Sequence, residues 1–358
     1  MDTKERIQYI DLIKGFCIML VVLNHSDVIA SAFPDHGATT TLGLCRMPMF
    51  FFISGLFFRP YACFGDFATR KCCQLLIPYV FFILLRDVGN WLLIPDARSP
   101  WTPLTLWDMV VFNGYLWFLR ALLLAGLLVF SLHRIAGQSR RRRAAVAALL
   151  FLAGWAAVAA RSALAGSGLP GSGRLMFVPL QPVAMVLFYW LGHMAASEGL
   201  LSVGRTPRAL AATGVVAAAA LCAMYCFNHQ VCGGWAYLNF SSSWPAVVAF
   251  TLLGMTAVWT VSVLLSRLPF VSFLGRYSIV VLGLHGIVLG LLEYHTALGP
   301  WARAGATLAL MPAAIWLFVR YLPWACARRQ LLQWRDGRLR TAMRAPQPEK
   351  APAAEGAR

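Results

Sequence analysis

Long apolar runs, broken by short charged or Gly/Pro-rich segments, repeat along almost the whole chain. Runs of this length match the roughly 20 residues that a helix needs to cross a hydrocarbon core. They predict ten spanning helices, at about 7-30, 42-58, 74-94, 113-135, 144-165, 177-197, 209-229, 244-266, 277-294 and 303-326. Pro95 to Asn113, with Trp101, Leu104, Leu106 and Trp107, reads as an interfacial helix leading into the fourth span. No internal repeat relates the runs. The predicted fold class is all-α: a polytopic membrane helical bundle of about ten transmembrane helices. Residues 1-327 form the membrane domain and residues 328-358 a basic cytoplasmic tail. From Ala345 onward the tail is rich in Pro, Ala and charge, which predicts disorder at its end.

Composition agrees with the pattern. Of 358 residues, 59% are hydrophobic and 13% charged, and the mean hydropathy is +0.66. A net charge of +17 would suggest nucleic acid in a soluble protein. Here the basic residues gather between apolar runs, where they act as topology signals and attract anionic headgroups, so no nucleic-acid partner is expected. With a cytoplasmic N-terminus, the inner segments hold Lys4, Arg6, Arg59, Arg70, Lys71, Arg134, Arg140 to Arg143, Arg205, Arg208, Arg267, Arg276 and the tail. The outer segments hold only Arg98, Arg161, Arg174 and Arg303. This asymmetry places both termini in the cytoplasm and requires an even number of spans. Lys4, Arg6 and Lys14 ahead of an apolar core, followed by Ala30-Ser31-Ala32, also imitate a secretory signal. Cleavage there would discard the most unusual intramembrane residues of the chain, so retention is expected. The nine cysteines contain no CxxC pair, and no metal site is expected.

Those unusual residues stand in the first run, RIQYIDLIKGFCIMLVVLNHSDVIA from Arg6 to Ala30. A simple anchor needs none of Asp11, Lys14, Asn24, His25 and Asp27. On a helix, Lys14 and His25 differ by only ~20° in direction and ~16 Å in height. One face therefore carries a cation near one interface and an imidazole deeper in the membrane. Arg46 opens a strongly apolar span that contains Ser54-Gly55, a pair suited to close packing or to a local break. Arg70-Lys71 precede a helix start, a position that suits phosphate binding and equally satisfies topology. Trp117 fits an interfacial belt, whereas Arg120 lies deeper. His285 lies in an apolar helix, either as a packing residue or in contact with substrate. Gly166 to Arg174, GSGLPGSGR, lacks the GK[ST] ending of a phosphate loop and reads as a flexible loop.

Taken in order, Lys14 and His25, MPMFFFISG at 47-55, LLIPY at 75-79, LWFL at 116-119 and GRYSIVVLGLH at 275-285 resemble the membrane-bound acyltransferase family 3. The resemblance is strongest to its fucose 4-O-acetylase-like sugar O-acetyltransferases and runs to about residue 320. It implies a multi-pass enzyme of the bacterial inner membrane. Such an enzyme moves an acyl group, usually acetyl, from cytoplasmic acyl-CoA to a hydroxyl of an envelope glycan or glycolipid. It also implies that Lys14 and His25, as the R/K-x10-H pattern, are functionally required. The chain departs from the family at two places. The RxxR pattern entering the third span is half kept, as Lys71-Cys72-Cys73-Gln74, and Arg46 stands where many relatives have histidine before Met-Pro. The hydrolase-like C-terminal domain of some members has no counterpart, so the chemistry is expected within the membrane part.

Acyl transfer to a hydroxyl needs a base, a stabilised oxyanion and the exclusion of water. The expected assignment follows from that need. His25 and Lys14 are catalytic; Lys14, Arg70 and Lys71 hold the phosphates of the acyl-CoA co-substrate; Arg46, Trp117, Arg120 and His285 contact the acceptor. The rival reading is a transporter or flippase for an envelope precursor, for which inverted repeats would be expected and acyl-CoA would be irrelevant.

Overall fold

The computed structural model describes residues 8–32, 37–93, 115–166, 180–202, 207–227, 233–234, 238–240, 242–265, 268–335 and 337–341. The described part is almost wholly helical. The helices are α1 (Gln8–His25), α2 (Val28–Ala32), α3 (Gly37–Leu56), α4 (Phe64–Lys71), α5 (Ile77–Leu93), α6 (Trp117–Ala136) and α7 (Arg140–Gly166). They continue with α8 (Gln181–Ser197), α9 (Pro207–Phe227), α10 (Trp244–Leu265), α11 (Pro269–Arg276), α12 (Ser278–His295) and α13 (Pro300–Tyr321). Two antiparallel hairpins complete the described part. They are β1 (Gly233–Gly234) with β2 (Asn239–Phe240), and β3 (Leu332–Arg335) with β4 (Arg338–Thr341).

A helix falls in each of the ten expected spans, yet only six helical stretches among the described residues are long and apolar enough to cross a membrane on their own. These are Phe64–Leu93, Trp117–Ala136, Arg140–Leu164, Trp244–Leu265, Ser278–His295 and Pro300–Tyr321. Shorter apolar helices occur at Gly43–Leu56 and Ala211–Ala220. In α8, the residues from Ala184 to Trp190 are all buried, and α1 is buried on all sides from Ile10 to Val22 except at a few positions. A helix enclosed by protein rather than lipid is free to carry polar groups. The first run is also not one continuous helix. Asp27 takes a left-handed backbone at φ 62°, a conformation that aspartate tolerates better than most residues, and the turn separates α1 from α2.

Glycines determine the closest crossings. A Cβ at Gly15 would strike the Val271 backbone, and one at Gly275 would strike the Asp11 backbone, so α1 and α11 pack main chain to main chain. Gly55 against Tyr189 and Gly192 against Phe52 do the same for α3 and α8. Van der Waals packing of small residues is the main available drive where lipid offers no hydrophobic gain. Buried indoles tie further helices together. Trp190 donates to the Arg143 carbonyl at 3.0 Å and Trp244 to the Phe151 carbonyl at 2.9 Å.

The two ends of the bundle differ in charge. At one end, Arg134 donates to the Ala62 carbonyl, Arg143 donates to Ser197 at 2.7 Å, and the Cys73 thiol reaches the Leu332 carbonyl at 3.5 Å. The hairpin at 332–341 belongs to the expected tail, and its Trp334 lies against Gly65 of α4. At the other end, Arg303 (12% exposed) joins Asp27 at 3.8 Å and Glu293 at 3.0 Å. The expected interfacial helix, the loop residues 167–174 and the tail from Ala345 lie outside the described residues.

Candidate active site

Two groups of polar residues are threaded on α1. The first surrounds a cavity of about 410 Å³ at the basic end, lined by Lys14, Ser54, Arg59, Arg70, Lys71 and Gln74, with aromatic walls from Phe50, Phe58, Tyr61 and Phe67. Three elements bring the cations there. Lys14 comes from α1, Arg59 from the loop after α3, and Arg70 and Lys71 from the last turn of α4. Cys63 starts α4 by accepting the Asp66 N–H at 3.4 Å, and Asp66 in turn accepts from Arg70 Nε at 2.9 Å. Arg70 also lies 5.4 Å from the centre of the Tyr61 ring, and Lys71 Nζ lies 5.7 Å from that of Phe67. After Lys71 the helix widens into a π turn, Cys72–Leu76, before α5 resumes. Lys71 makes no ion pair among the described residues. The cavity lining thus combines several cations with aromatic walls, and one carboxylate, Asp66, lies beside them on Arg70.

The second group lies at the other end of α1. The rings of His25 and His285 have centroids 5.2 Å apart, inclined at 50°. Tyr115 stacks on His285 at 5.8 Å. Its hydroxyl donates to the Gly283 carbonyl at 3.1 Å and accepts from the Gly286 N–H at 3.0 Å. Arg86 lies over Tyr115 at 4.6 Å, and its Nη2 is 2.5 Å from Asp87. Arg46 donates to the Leu20 carbonyl of α1 at 3.3 Å, and its buried Nε has no hydrogen-bond partner. Its charge bears on both imidazoles. One turn of α3, ~5.4 Å of rise, separates Arg46 from Phe50, which lines the first cavity.

The structure thus gathers Lys14, Arg70 and Lys71 around one cavity and His25, Arg46 and His285 around another point. Trp117 and Arg120 join neither group. Trp117, 7% exposed, packs edge-on to Phe118, and Arg120, 8% exposed, donates to Tyr79 at 3.4 Å and Gln181 at 3.5 Å. Both lie in the interior instead of at an outer mouth, because α6 is central at that level and its first two turns are buried from Trp117 to Leu123. His285 is likewise enclosed, at 2% exposure. Sequence reasoning did not assign Arg59, Ser54 or Tyr115 to a site. Arg59 looked like another inside charge, and Tyr115 has no motif of its own beyond the adjoining LWFL.

A bundle with apolar membrane-spanning helices and a cation-lined cavity defines a polytopic membrane protein with a polar site among its helices. Residues 7–320 match the family model described as an acyltransferase domain, and the chain belongs to that family, the membrane-bound acyltransferase family 3. No curated protein and no solved structure matches the chain. It is a multi-pass membrane acyltransferase.

Proposed function

We propose that the protein is an O-acyltransferase of the bacterial inner membrane. In this reading it moves an acyl group, acetyl in the simplest case, from cytoplasmic acyl-CoA to a hydroxyl of an envelope glycan or glycolipid. The observation that carries the reading is the layout along α1: a cavity lined by Lys14, Arg70 and Lys71 at the basic end, and His25 beside Arg46 at the other. Positive-inside topology puts the cavity in the cytoplasm with both termini. The CoA phosphates rest on Lys14, Arg59, Arg70 and Lys71, and the adenine lies against the aromatic wall. The thioester arm runs along α1 past Phe50 towards Arg46.

At that point His25 accepts the proton of the acceptor hydroxyl while its oxygen bonds to the thioester carbonyl carbon. The tetrahedral oxyanion is stabilised by Arg46, whose charge is not neutralised by an ion pair among the described residues. The carbon–sulfur bond then breaks, and the proton passes from His25 to the departing CoA thiolate. Lys14 serves as a phosphate cation and not at the reacting atoms, since ~16 Å of helix separates it from His25. A transporter would have no use for acyl-CoA, and the family is one of acyltransferases.

The test measures transfer of labelled acyl groups from acyl-CoA to envelope glycan in membranes holding equal amounts of each variant. His25→Ala is expected to cost on the order of 10²–10⁴ in rate, the usual contribution of a positioned proton acceptor. His25→Gln retains hydrogen bonding but takes no proton at neutral pH, and is expected to be nearly as inactive. Substantial activity in His25→Gln would rule out base catalysis by this residue. Unchanged envelope O-acylation in a strain lacking the gene would overturn the reading as a whole.

A further inference from the structure

His285 occupies a site that an aliphatic residue would fill at no polar cost. Its Nδ1 lies 3.1 Å from the Val281 carbonyl and 2.8 Å from the Leu282 carbonyl. A carbonyl only accepts, so Nδ1 carries the hydrogen in the neutral ring, and Nε2 is left as a bare lone pair. That nitrogen is buried and has no hydrogen-bond partner. A buried acceptor without a donor is uncommon and calls for an explanation. Tyr115 covers one side of the ring and spends its own hydroxyl on the backbone of Gly283 and Gly286, which fixes the helix on either side of His285. The neighbour still able to donate is His25, with its ring centre 5.2 Å away and no hydrogen bond of its own among the described residues.

We infer that His285 is a positioning residue for His25: its Nε2 accepts a hydrogen bond from one His25 ring N–H and so leaves the other His25 nitrogen as the lone pair that meets the acceptor hydroxyl. This rests on the reading of His25 as the base. It is the task that a carboxylate or carbonyl performs for many catalytic histidines, here given to a second imidazole whose tautomer the helix carbonyls hold. When His25 takes the hydroxyl proton, its other N–H stays hydrogen-bonded to His285 Nε2. The proton is later delivered to the leaving thiolate, so His285 neither gains nor loses one. A charge on His285 would stand in a fully enclosed site, at 2% exposure, whereas His25 is open on one side, which keeps the proton on His25.

The full-length protein in lipid nanodiscs provides the test, with kcat and KM for acyl-CoA measured for His285→Leu, His285→Gln, His25→Ala and the double variant His25→Ala/His285→Leu. Glutamine places an acceptor oxygen near the position of Nε2, whereas leucine keeps the bulk and removes the acceptor. Expected is a kcat loss on the order of 10² for His285→Leu with KM unchanged, recovery to within about tenfold of the native rate for His285→Gln, and no further loss from His285→Leu once His25 is alanine, as coupled residues show. Three outcomes each overturn the inference: near-native kcat in His285→Leu, no recovery in His285→Gln at equal folded yield, or additive losses in the double variant. If leucine prevents folding, the comparison of His285→Gln with His285→Asn decides, because the shorter amide cannot reach the Nε2 position and must be the less active. An active His25→Ala overturns the base reading and this inference with it. An inactive His25→Ala beside a fully active His285→Leu overturns this inference alone.

Discussion

Lys71 and Arg70 are neighbours with different surroundings, and the difference sets what each removal does. Arg70 is shared with Asp66 and is partly open to water, so its charge is partly spent within the protein. Lys71 points into the cavity without an ion pair among the described residues. Lys71→Gln is therefore expected to raise the KM for acyl-CoA about tenfold, the loss of one charge-assisted contact, and Arg70→Gln by less. Steady-state kinetics on variants with native elution profiles decide between roles, since cations that serve topology alone would leave KM where it is. At the same scale, Arg46 has surroundings that its place in the motif left open. The structure sets it against the Leu20 carbonyl and beside His25, which only the packing of α3 on α1 reveals.

Among the elements, the crossings of α1 with α11 and of α3 with α8 determine whether the two polar groups lie on one path. Both are backbone contacts at glycine, and neither leaves room for a methyl group. Gly275→Leu or Gly192→Leu forces the helices apart, and overpacking of this kind typically costs about 1–3 kcal/mol and occasionally more. The expected result is a fall in midpoint temperature by differential scanning fluorimetry in detergent, with acyl transfer lost in parallel. Gly290→Leu is the control, since nothing lies within 4 Å of a Cβ there. Replacing glycine with leucine by itself favours a helix, so an equal loss in the control would point to added bulk in general, not to the crossing.

For the whole molecule, the two ends of the described bundle differ in charge. The end that holds Arg134, Arg143, Arg70 and the β3–β4 hairpin is basic, whereas Asp27 and Glu293 meet Arg303 at the other. Reporter fusions at Gln138, in the turn between α6 and α7, and at Leu298, between α12 and α13, are expected to report the cytoplasm and the opposite side respectively. A cytoplasmic Leu298 would reverse the scheme for the acyl-CoA cavity.

The apolar runs, the bias of Lys and Arg, and the motif order were enough to read the class of protein, the helices and the family, because lipid acts on each segment separately and leaves its demand in local composition. In the sequence, Lys14 stood out as a charge inside an apolar run and Arg70-Lys71 as two cations at a helix start; that the three line one cavity is seen only in the structure. Residue order alone does not say which interior a buried residue enters. Trp117 and Arg120 looked like mouth residues because they start a span, but α6 begins inside the bundle. The bare nitrogen of His285 and its nearness to His25 depend on how α1 and α12 pack around Tyr115, a contact between residues far apart in the chain that no local pattern records. Segment identity belonged to the sequence, whereas the neighbours of the polar groups at the site belonged to the tertiary structure, since they come from other helices that only packing brings together.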